Sequence, residues 1–472
     1  MVNNELDYTT IPCGQIKEYE DGSKKLFPFF DFFNYSGLQA SVKLIILPKT
    51  YISDISVMTD FEDETGFIDY QVKAANEVKT SGTHKIKIEV EDEMGEIVAE
   101  SKGQTGKIEI EEVNLWQPGD AYLYTLRFMI INDEEIIDNY LLPVGIRTVE
   151  VKDNRFYINN QPFYFKGFGK HQDSEYFGRG YNPAVMIRDA ELLDWIGANS
   201  VRTSHYPYDE EFYRLCDRRG IVVIDETPAV GMFDMHMNFL GASSGEESKF
   251  FEREEVHEKT KENHKKAIHR LIQRDKNHPS VVMWCLANEP DTSQEGSESY
   301  FKDIFEFAGT QDPQQRPLTF TNFMRAPYGQ CHAAQFADVL LLNRYYGWYV
   351  KGGMELEYAR DDFIQEMKAW EQENKPMIIS EYGADTKAGI HKLPSVQWSE
   401  EYQTEYLEVQ HEVFDKIDSI VGEQIWNFAD FQTVEGILRV DGNKKGVFTR
   451  TRQPKKAAYL LKERWEGMNY QD

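Results

Sequence analysis

Eight apolar, strand-like runs separated by amphipathic segments occupy the chain after residue 150, and they constrain its fold more than any other feature. The segments between them carry helix punctuation: Asn182 and Pro183 supply an N-cap and a first-turn proline, and Gly220 supplies a C-cap. Eight consecutive strand–helix units over about 300 residues predict a closed (β/α)8 TIM barrel. A doubly wound sheet is the alternative, although no Gly-rich phosphate loop accompanies the units. The runs span 163–169, 199–205, 221–226, 281–289, 318–323, 339–347, 377–383 and 423–430.

Before residue 150 the pattern changes to short β-type runs without helical periods between them. Such spacing is typical of an antiparallel sandwich, and we predict an immunoglobulin-like domain over 48–146, followed by the catalytic barrel over 147–472. Residues 1–47 are too few for an independent all-β domain. The predicted strands lie at 41–47, 52–61, 66–75, 84–92, 106–113 and 122–131.

Charge and cysteine usage narrow the function classes. The 472 residues carry 80 Asp and Glu against 52 Lys and Arg, a net charge of -28, which would repel nucleic acid and anionic membranes. No stretch approaches the 18 apolar residues of a membrane span, and no basic segment with an apolar run opens the chain, so we expect a cytoplasmic protein. Four scattered cysteines without a CxxC pair predict buried free thiols and neither metal nor cofactor. They are Cys13, Cys216, Cys285 and Cys331.

Two carboxylates each follow a long apolar run, Glu289 after 281–288 and Glu381 after 377–380. A barrel places the carboxyl ends of its strands around one mouth, and strands four and seven would bring these two side chains to flank a bound sugar. Partial desolvation raises the pKa of the carboxyl that must stay protonated. Double displacement at a glycosidic bond needs such a pair about 5 Å apart. The alternative is that one of them is a buried salt-bridge partner of Arg202 or Arg344. Other strand ends carry His171, His205, Asp225, Glu226, Asn343, Tyr345, Tyr382, Trp426, Asn427 and Asp430.

The segments 202–208, 277–291, 342–349, 378–385 and 421–431 resemble those of glycoside hydrolase family 2, and of its β-glucuronidase branch in particular. The resemblance runs from residue 2 to the end of the chain. It implies a retaining exo-hydrolase in which Glu289 is the acid/base and Glu381 the nucleophile. It further implies that Asn288 holds the sugar 2-hydroxyl, and that the chain can form homo-oligomers. The implied walls of the sugar pocket are His205, Tyr345, Tyr349 and Trp426.

One basic stretch, 439–456, stands out in this acidic chain, with seven Lys or Arg against the single acid Asp441. Its Asn443 and Lys445 match the Asn-x-Lys motif by which the β-glucuronidase branch recognises a uronate carboxylate, with Arg439 as a further partner. The resemblance therefore implies a small-molecule β-glucuronide substrate. A solvated surface strand is the bland alternative for this stretch, and another uronide, such as a galacturonide, is the alternative substrate.

The resemblance also implies a jelly-roll sugar-binding domain at the start of family members, of which residues 1–47 match the last part. Asp31 matches a position that reaches into the sugar pocket. We expect this N-terminally short form either to complete the site or to be an inactive, truncated remnant. The Met- and Phe-rich segment 231–248 is expected to form a mobile lid over the aglycone.

Overall fold

The chain begins with a hairpin that packs against the catalytic part of the molecule. The computed structural model describes residues 4–75, 84–233 and 249–468. Strands β1 (Gly14–Glu18) and β2 (Lys24–Pro28) pair antiparallel. Phe29, Phe30 and Phe32 follow directly and are buried in the same hydrophobic core as the barrel helices. The N-terminal residues therefore form part of the wall of the barrel mouth.

The predicted strand at 41–47 does not form, so that prediction is wrong. The backbone there is extended without ladder pairing, and the side chains of Leu44 and Ile46 are 92% and 90% exposed. A strand needs a neighbour to satisfy its N–H and C=O groups, and no neighbour lies beside it in the described residues.

Seven strands form a two-sheet sandwich, as the immunoglobulin-like prediction requires. One sheet has the order β3-β4-β7 and the other β6-β5-β8-β9. Alternation along the strands points Ile68, Ile88 and Phe128 into the core between the sheets. Strands β6 and β9, which the sequence patterns did not reveal, lack clean alternation because much of each is exposed. The strands are β3 (Tyr51–Glu62), β4 (Thr65–Ala75), β5 (His84–Glu91), β6 (Ile97–Lys102), β7 (Thr105–Ile110), β8 (Tyr124–Asn132) and β9 (Glu135–Val144).

A small sheet plugs the amino end of the barrel. Its strands are β10 (Val149–Lys152), β11 (Arg155–Ile158) and β12 (Gln161–Pro162). Phe156 packs with Trp116 against the lower residues of the barrel strands, and both rings are fully buried. The Trp116 indole also donates a 2.8 Å hydrogen bond to the Asp217 carbonyl. This end is therefore closed by packing, which leaves the opposite mouth for a site.

Eight parallel strands close into a barrel in sequence order, and each of the eight predicted runs supplies one strand. The TIM-barrel prediction is confirmed and the doubly wound alternative is wrong, because the last strand pairs with the first. A two-stranded excursion, β14 (Asp173–Ser174) and β15 (Gly178–Arg179), follows the first barrel strand. The barrel strands are β13 (Phe165–Gly169), β16 (Ser200–Arg202), β17 (Val222–Glu226), β18 (Val281–Asn288), β19 (Leu318–Asn322), β20 (Leu340–Asn343), β21 (Met377–Glu381) and β22 (Ile420–Trp426).

The helices around the barrel begin and end where the sequence punctuation predicts. The Asn182 side chain caps the first helix by accepting from two backbone N–H groups, and Gly220 ends the second with φ 66°. The connection after β19, residues 323–339, contains one short turn instead of a helix, so the fifth of the eight expected units is incomplete. No helix in the described ranges is long and apolar enough to cross a membrane. The helices are α1 (Pro183–Ile196), α2 (Glu210–Arg219), α3 (Lys261–Asp275), α4 (Gly296–Gly309), α5 (Leu356–Trp370), α6 (Glu400–Phe414) and α7 (Lys456–Gly467). Short helical turns span Phe250–Glu252, Val256–Thr260, Ala334–Phe336, Gly353–Glu355 and Glu371–Glu373.

Candidate active site

A cavity lies at the carboxyl mouth of the barrel. Ten of the eleven predicted site residues line it, the exception being Lys445. The N-terminal segment contributes Phe29, Phe30, Asp31 and Phe32 to its wall, so the hairpin and the barrel build the cavity together. The predicted residues that line it are Asp31, His205, Asn288, Glu289, Tyr345, Tyr349, Glu381, Trp426, Arg439 and Asn443.

Glu381 ends β21, and two donors hold its side chain in place. Arg202 donates through Nη2 to Oε1 at 2.5 Å, and the Tyr345 hydroxyl donates to Oε2 at 2.7 Å. The Arg202 side chain is fully buried, so its charge acts on Glu381 with little screening by water. The salt-bridge alternative is therefore met for Glu381 through Arg202, whereas Arg344 pairs with Glu366. A carboxyl group oriented in this way suits a nucleophile.

Glu289 follows β18 with a φ of 48° and sits in a different electrostatic environment. Burial and the nearby charge of Glu381 raise its pKa to about 8, so it carries a proton at neutral pH. The Asn343 side-chain amide donates through Nδ2 to Glu289 Oε1 at 2.9 Å. The Ser380 hydroxyl donates to the other end of that amide, Asn343 Oδ1, at 2.9 Å. The Ser380 contact fixes which end of the amide faces Glu289. The raised pKa of Glu289 agrees with the expectation that desolvation raises the pKa of the carboxyl that must stay protonated.

Glu226, the last residue of β17, organises the floor beneath the two carboxylates. It accepts hydrogen bonds from Arg202 Nη1 and from His205 Nδ1, the latter at 2.7 Å. Although its burial acts to raise the pKa, the charges of Arg202 and His205 hold the pKa of Glu226 below its usual value. Because an ionised carboxylate only accepts, Nδ1 of His205 carries a proton and Nε2 is left toward Glu381, 3.9 Å from Oε1. The sequence analysis located Glu226 at a strand end but did not predict that it binds Arg202 and His205.

Aromatic rings form one side of the cavity. Trp426, at the end of β22, stacks on the His205 ring with centroids 5.0 Å apart. His171 lies behind them rather than in the wall, with its ring 5.2 Å from that of Trp426 and its Nδ1 bonded to the Tyr206 hydroxyl at 3.0 Å. Burial lowers the pKa of His171 well below its usual value, so its ring stays neutral.

Charged residues meet at the side of the cavity formed by residues 439–445. Arg439 pairs with Asp31 at 2.6 Å, and the Asn443 amide donates to the same carboxylate at 3.3 Å. Lys445 lies behind this wall with its side chain 1% exposed, bonded to Asp385 and, at 2.8 Å, to the Tyr349 hydroxyl. The basic stretch is therefore a buried cluster here, and the surface-strand alternative does not apply to these residues. Asp385 was missed by the sequence reasoning, although it closes the segment 378–385 that carries Glu381.

Family models match almost the whole chain. The model for glycosyl hydrolases family 2 matches residues 50–147, and the TIM barrel domain model of the same family matches residues 149–470. The chain belongs to family 2 of the glycosyl hydrolases, and it is a glycoside hydrolase.

Several relatives within that family are β-glucuronidases. The one from Paenibacillus borealis is 44% identical, over 99% of this chain and 77% of that protein. The Homo sapiens one is 41% identical, over 98% of this chain and 70% of that protein. The solved β-glucuronidase of Ruminococcus gnavus superposes with a TM-score of 0.95 at 45% identity, and covers 99% of this chain and 77% of its own.

Two further expectations concern metal binding and the segment 231–248. Among residues 4–75, 84–233 and 249–468 no group of three or more His, Cys, Asp or Glu side chains could hold a metal ion. The expected lid at 231–248 lies outside the described residues apart from its first three positions, so it stays a prediction.

Proposed function

We propose that the chain is a retaining exo-β-glucuronidase that hydrolyses β-D-glucuronides to glucuronate and the aglycone through a covalent glycosyl-enzyme. The observation that carries the proposal is the pair in one cavity: Glu381, oriented by Arg202 and Tyr345, and Glu289, kept protonated by burial and by the neighbouring charge of Glu381. Its relatives bear the name β-glucuronidase, and the Ruminococcus gnavus enzyme has been solved in complex with uronic isofagomine.

In the first step Glu381 attacks the anomeric carbon while Glu289 gives its proton to the departing oxygen. The glycosidic bond breaks as the ester bond forms, so the aglycone leaves as a neutral alcohol or phenol. The Arg202 and Tyr345 donors fix the carboxylate in its attacking position beforehand.

In the second step Glu289 acts as the base. Once Glu381 is an ester it no longer carries charge, and one of the two causes that raise the pKa of Glu289 disappears. Glu289 then accepts a proton from water as that water attacks the anomeric carbon, and glucuronate is released with retained configuration.

The buried basic cluster is the proposed recognition site for the uronate carboxylate. Arg439 and Asn443 line the cavity, and Lys445 lies directly behind them. A neutral sugar has no group at C5 that needs these charges, so they favour a uronide over a glucoside.

Lys445→Ala is expected to lower kcat/KM for p-nitrophenyl glucuronide by about 100-fold or more, since removal of one partner of a buried charge contact typically costs this much. Activity on p-nitrophenyl glucoside should change less than about threefold. Lys387→Ala, which removes an exposed lysine from a neighbouring loop, is the matched control. Equal losses on both substrates would remove the uronate assignment.

Turnover of p-nitrophenyl galacturonide beside the glucuronide separates the two uronide readings. Purified protein that binds a glucuronolactam-type inhibitor without turning over substrate would instead indicate an inactive form. A cytoplasmic location and a homo-oligomeric state stay predictions.

A further inference from the structure

We infer that Asp385 is a positioning residue that creates the preference for a uronate by holding Lys445 in place. This inference deepens the proposed function and rests on it. Asp385 is buried, at 1% exposure. Among the described residues its side chain forms hydrogen bonds or ion pairs only with Lys445, Arg439 and the backbone N–H of Lys444.

The contacts of Asp385 divide between the two cations of the cluster and the backbone between them. Its Oδ2 bonds the Lys445 ammonium and lies 3.6 Å from Arg439 Nη1, while its Oδ1 accepts from the Lys444 backbone N–H at 2.9 Å. Although burial acts to raise it, Lys445 and Arg439 hold the pKa of Asp385 below its usual value, so the group is a carboxylate. Asp385 is thus the anion that holds Lys445, whereas Arg439 is held mainly by its shorter contacts with Asp31.

Lys445 has a flexible four-carbon stem, which makes its position depend on what holds the ammonium. Asp385 and the Tyr349 hydroxyl accept two of its three N–H bonds, which leaves one for a ligand carboxylate. The ammonium also lies 4.8 Å from the centre of the Tyr349 ring and 5.6 Å from that of Trp348. The ring faces attract the ammonium without a hydrogen bond of fixed direction, so Asp385 and the Tyr349 hydroxyl supply the directional contacts, and of these two only Asp385 carries a charge.

The charges of the cluster balance when the cavity is empty. Asp31 and Asp385 face Arg439 and Lys445, two acids against two bases. A buried pair of cations without these anions would be costly to desolvate and would be displaced toward water. With Asp385 and Asp31 present, both cations stay in place, so a uronate meets charges that are already positioned beside the cavity.

Asp385 also ties this recognition site to the nucleophile. It lies four residues after Glu381, and the backbone beside it is joined to the basic segment by the Thr386 N–H to Lys444 carbonyl bond at 2.9 Å. The distance between the attacking carboxylate and the uronate-binding lysine is therefore fixed through Asp385.

The test uses two inhibitors with the same ring, uronic isofagomine and isofagomine, which differ by the carboxylate. For Asp385→Asn we expect the inhibition constant for uronic isofagomine to rise about 30-fold or more, and that for isofagomine to change less than about threefold. Asp441→Asn removes an exposed carboxylate from the segment 439–445 that carries Lys445, one that pairs with Lys444 at 3.1 Å, and should leave both constants unchanged.

A double variant separates positioning from a general structural role. If Asp385 acts through Lys445, Asp385→Asn should add less than about threefold to the loss already caused by Lys445→Ala. Additive losses, or equal losses on both inhibitors, would overturn the inference while leaving the proposed function intact. A wild-type enzyme that binds the two inhibitors equally would overturn the proposed function, and the inference with it.

Discussion

Glu381→Ala is expected to lower kcat on p-nitrophenyl glucuronide by at least about 10⁴-fold, because loss of a covalent nucleophile removes the route through the glycosyl-enzyme. KM should change far less, since the other residues that line the cavity stay in place. Steady-state kinetics measure kcat and KM separately.

Azide gives this prediction a stereochemical control. In Glu381→Ala, azide enters from the face that the carboxylate has vacated and yields the α-glycosyl azide, with inverted configuration. Glu412→Ala, which removes an exposed carboxylate from α6, should behave as wild type. Retention of more than a tenth of wild-type activity in Glu381→Ala would show that another group is the nucleophile.

Glu289→Gln is expected to abolish the alkaline limb of the pH profile. In the wild-type enzyme Glu289 must be protonated to act as the acid, and its pKa is about 8, so kcat/KM should fall as pH rises through about 8. Glutamine has no proton to lose in this range, so the variant should be flat there. Its loss of activity should be about 10²–10⁴-fold on a phenyl glucuronide, and smaller on a dinitrophenyl glucuronide, whose leaving group needs no proton.

Asn343 offers a second variant for the same test. The hydrogen bond that its side-chain amide donates to Glu289 favours the ionised form of Glu289 and lowers the pKa. Asn343→Ala should therefore move the alkaline limb to higher pH. A limb that persists unchanged in Glu289→Gln would assign the titration to another group.

The barrel could be predicted from the sequence because each of its strands is buried on both sides and reads as one apolar run. The ends of the runs were less certain: the last strand begins at Ile420, three residues before the predicted start. The run at 41–47 has the same apolar character and forms no strand. Apolar residues show that a segment can pair, whereas pairing itself depends on a neighbour that the local sequence does not specify.

The site was predictable as far as it lies on strand ends, since barrel topology alone brings Glu289 and Glu381 to one mouth. The side-chain contacts among the site residues were less predictable. That Arg202 contacts both Glu226 and Glu381 follows from its depth in the barrel, which no spacing encodes. Lys445 matches its motif and yet lies behind the wall, because Asp385 binds it there.

The Asp31–Arg439 ion pair joins residues 408 positions apart in the chain. The ribosome synthesises a chain from its N-terminus, so Asp31 is made long before Arg439. The two residues can pair only after the barrel strands have been synthesised. The cavity is therefore among the last parts of the molecule to be assembled. In refolding from denaturant, helical signal should recover before enzymatic activity, and the interval between the two reports the docking of the first hairpin.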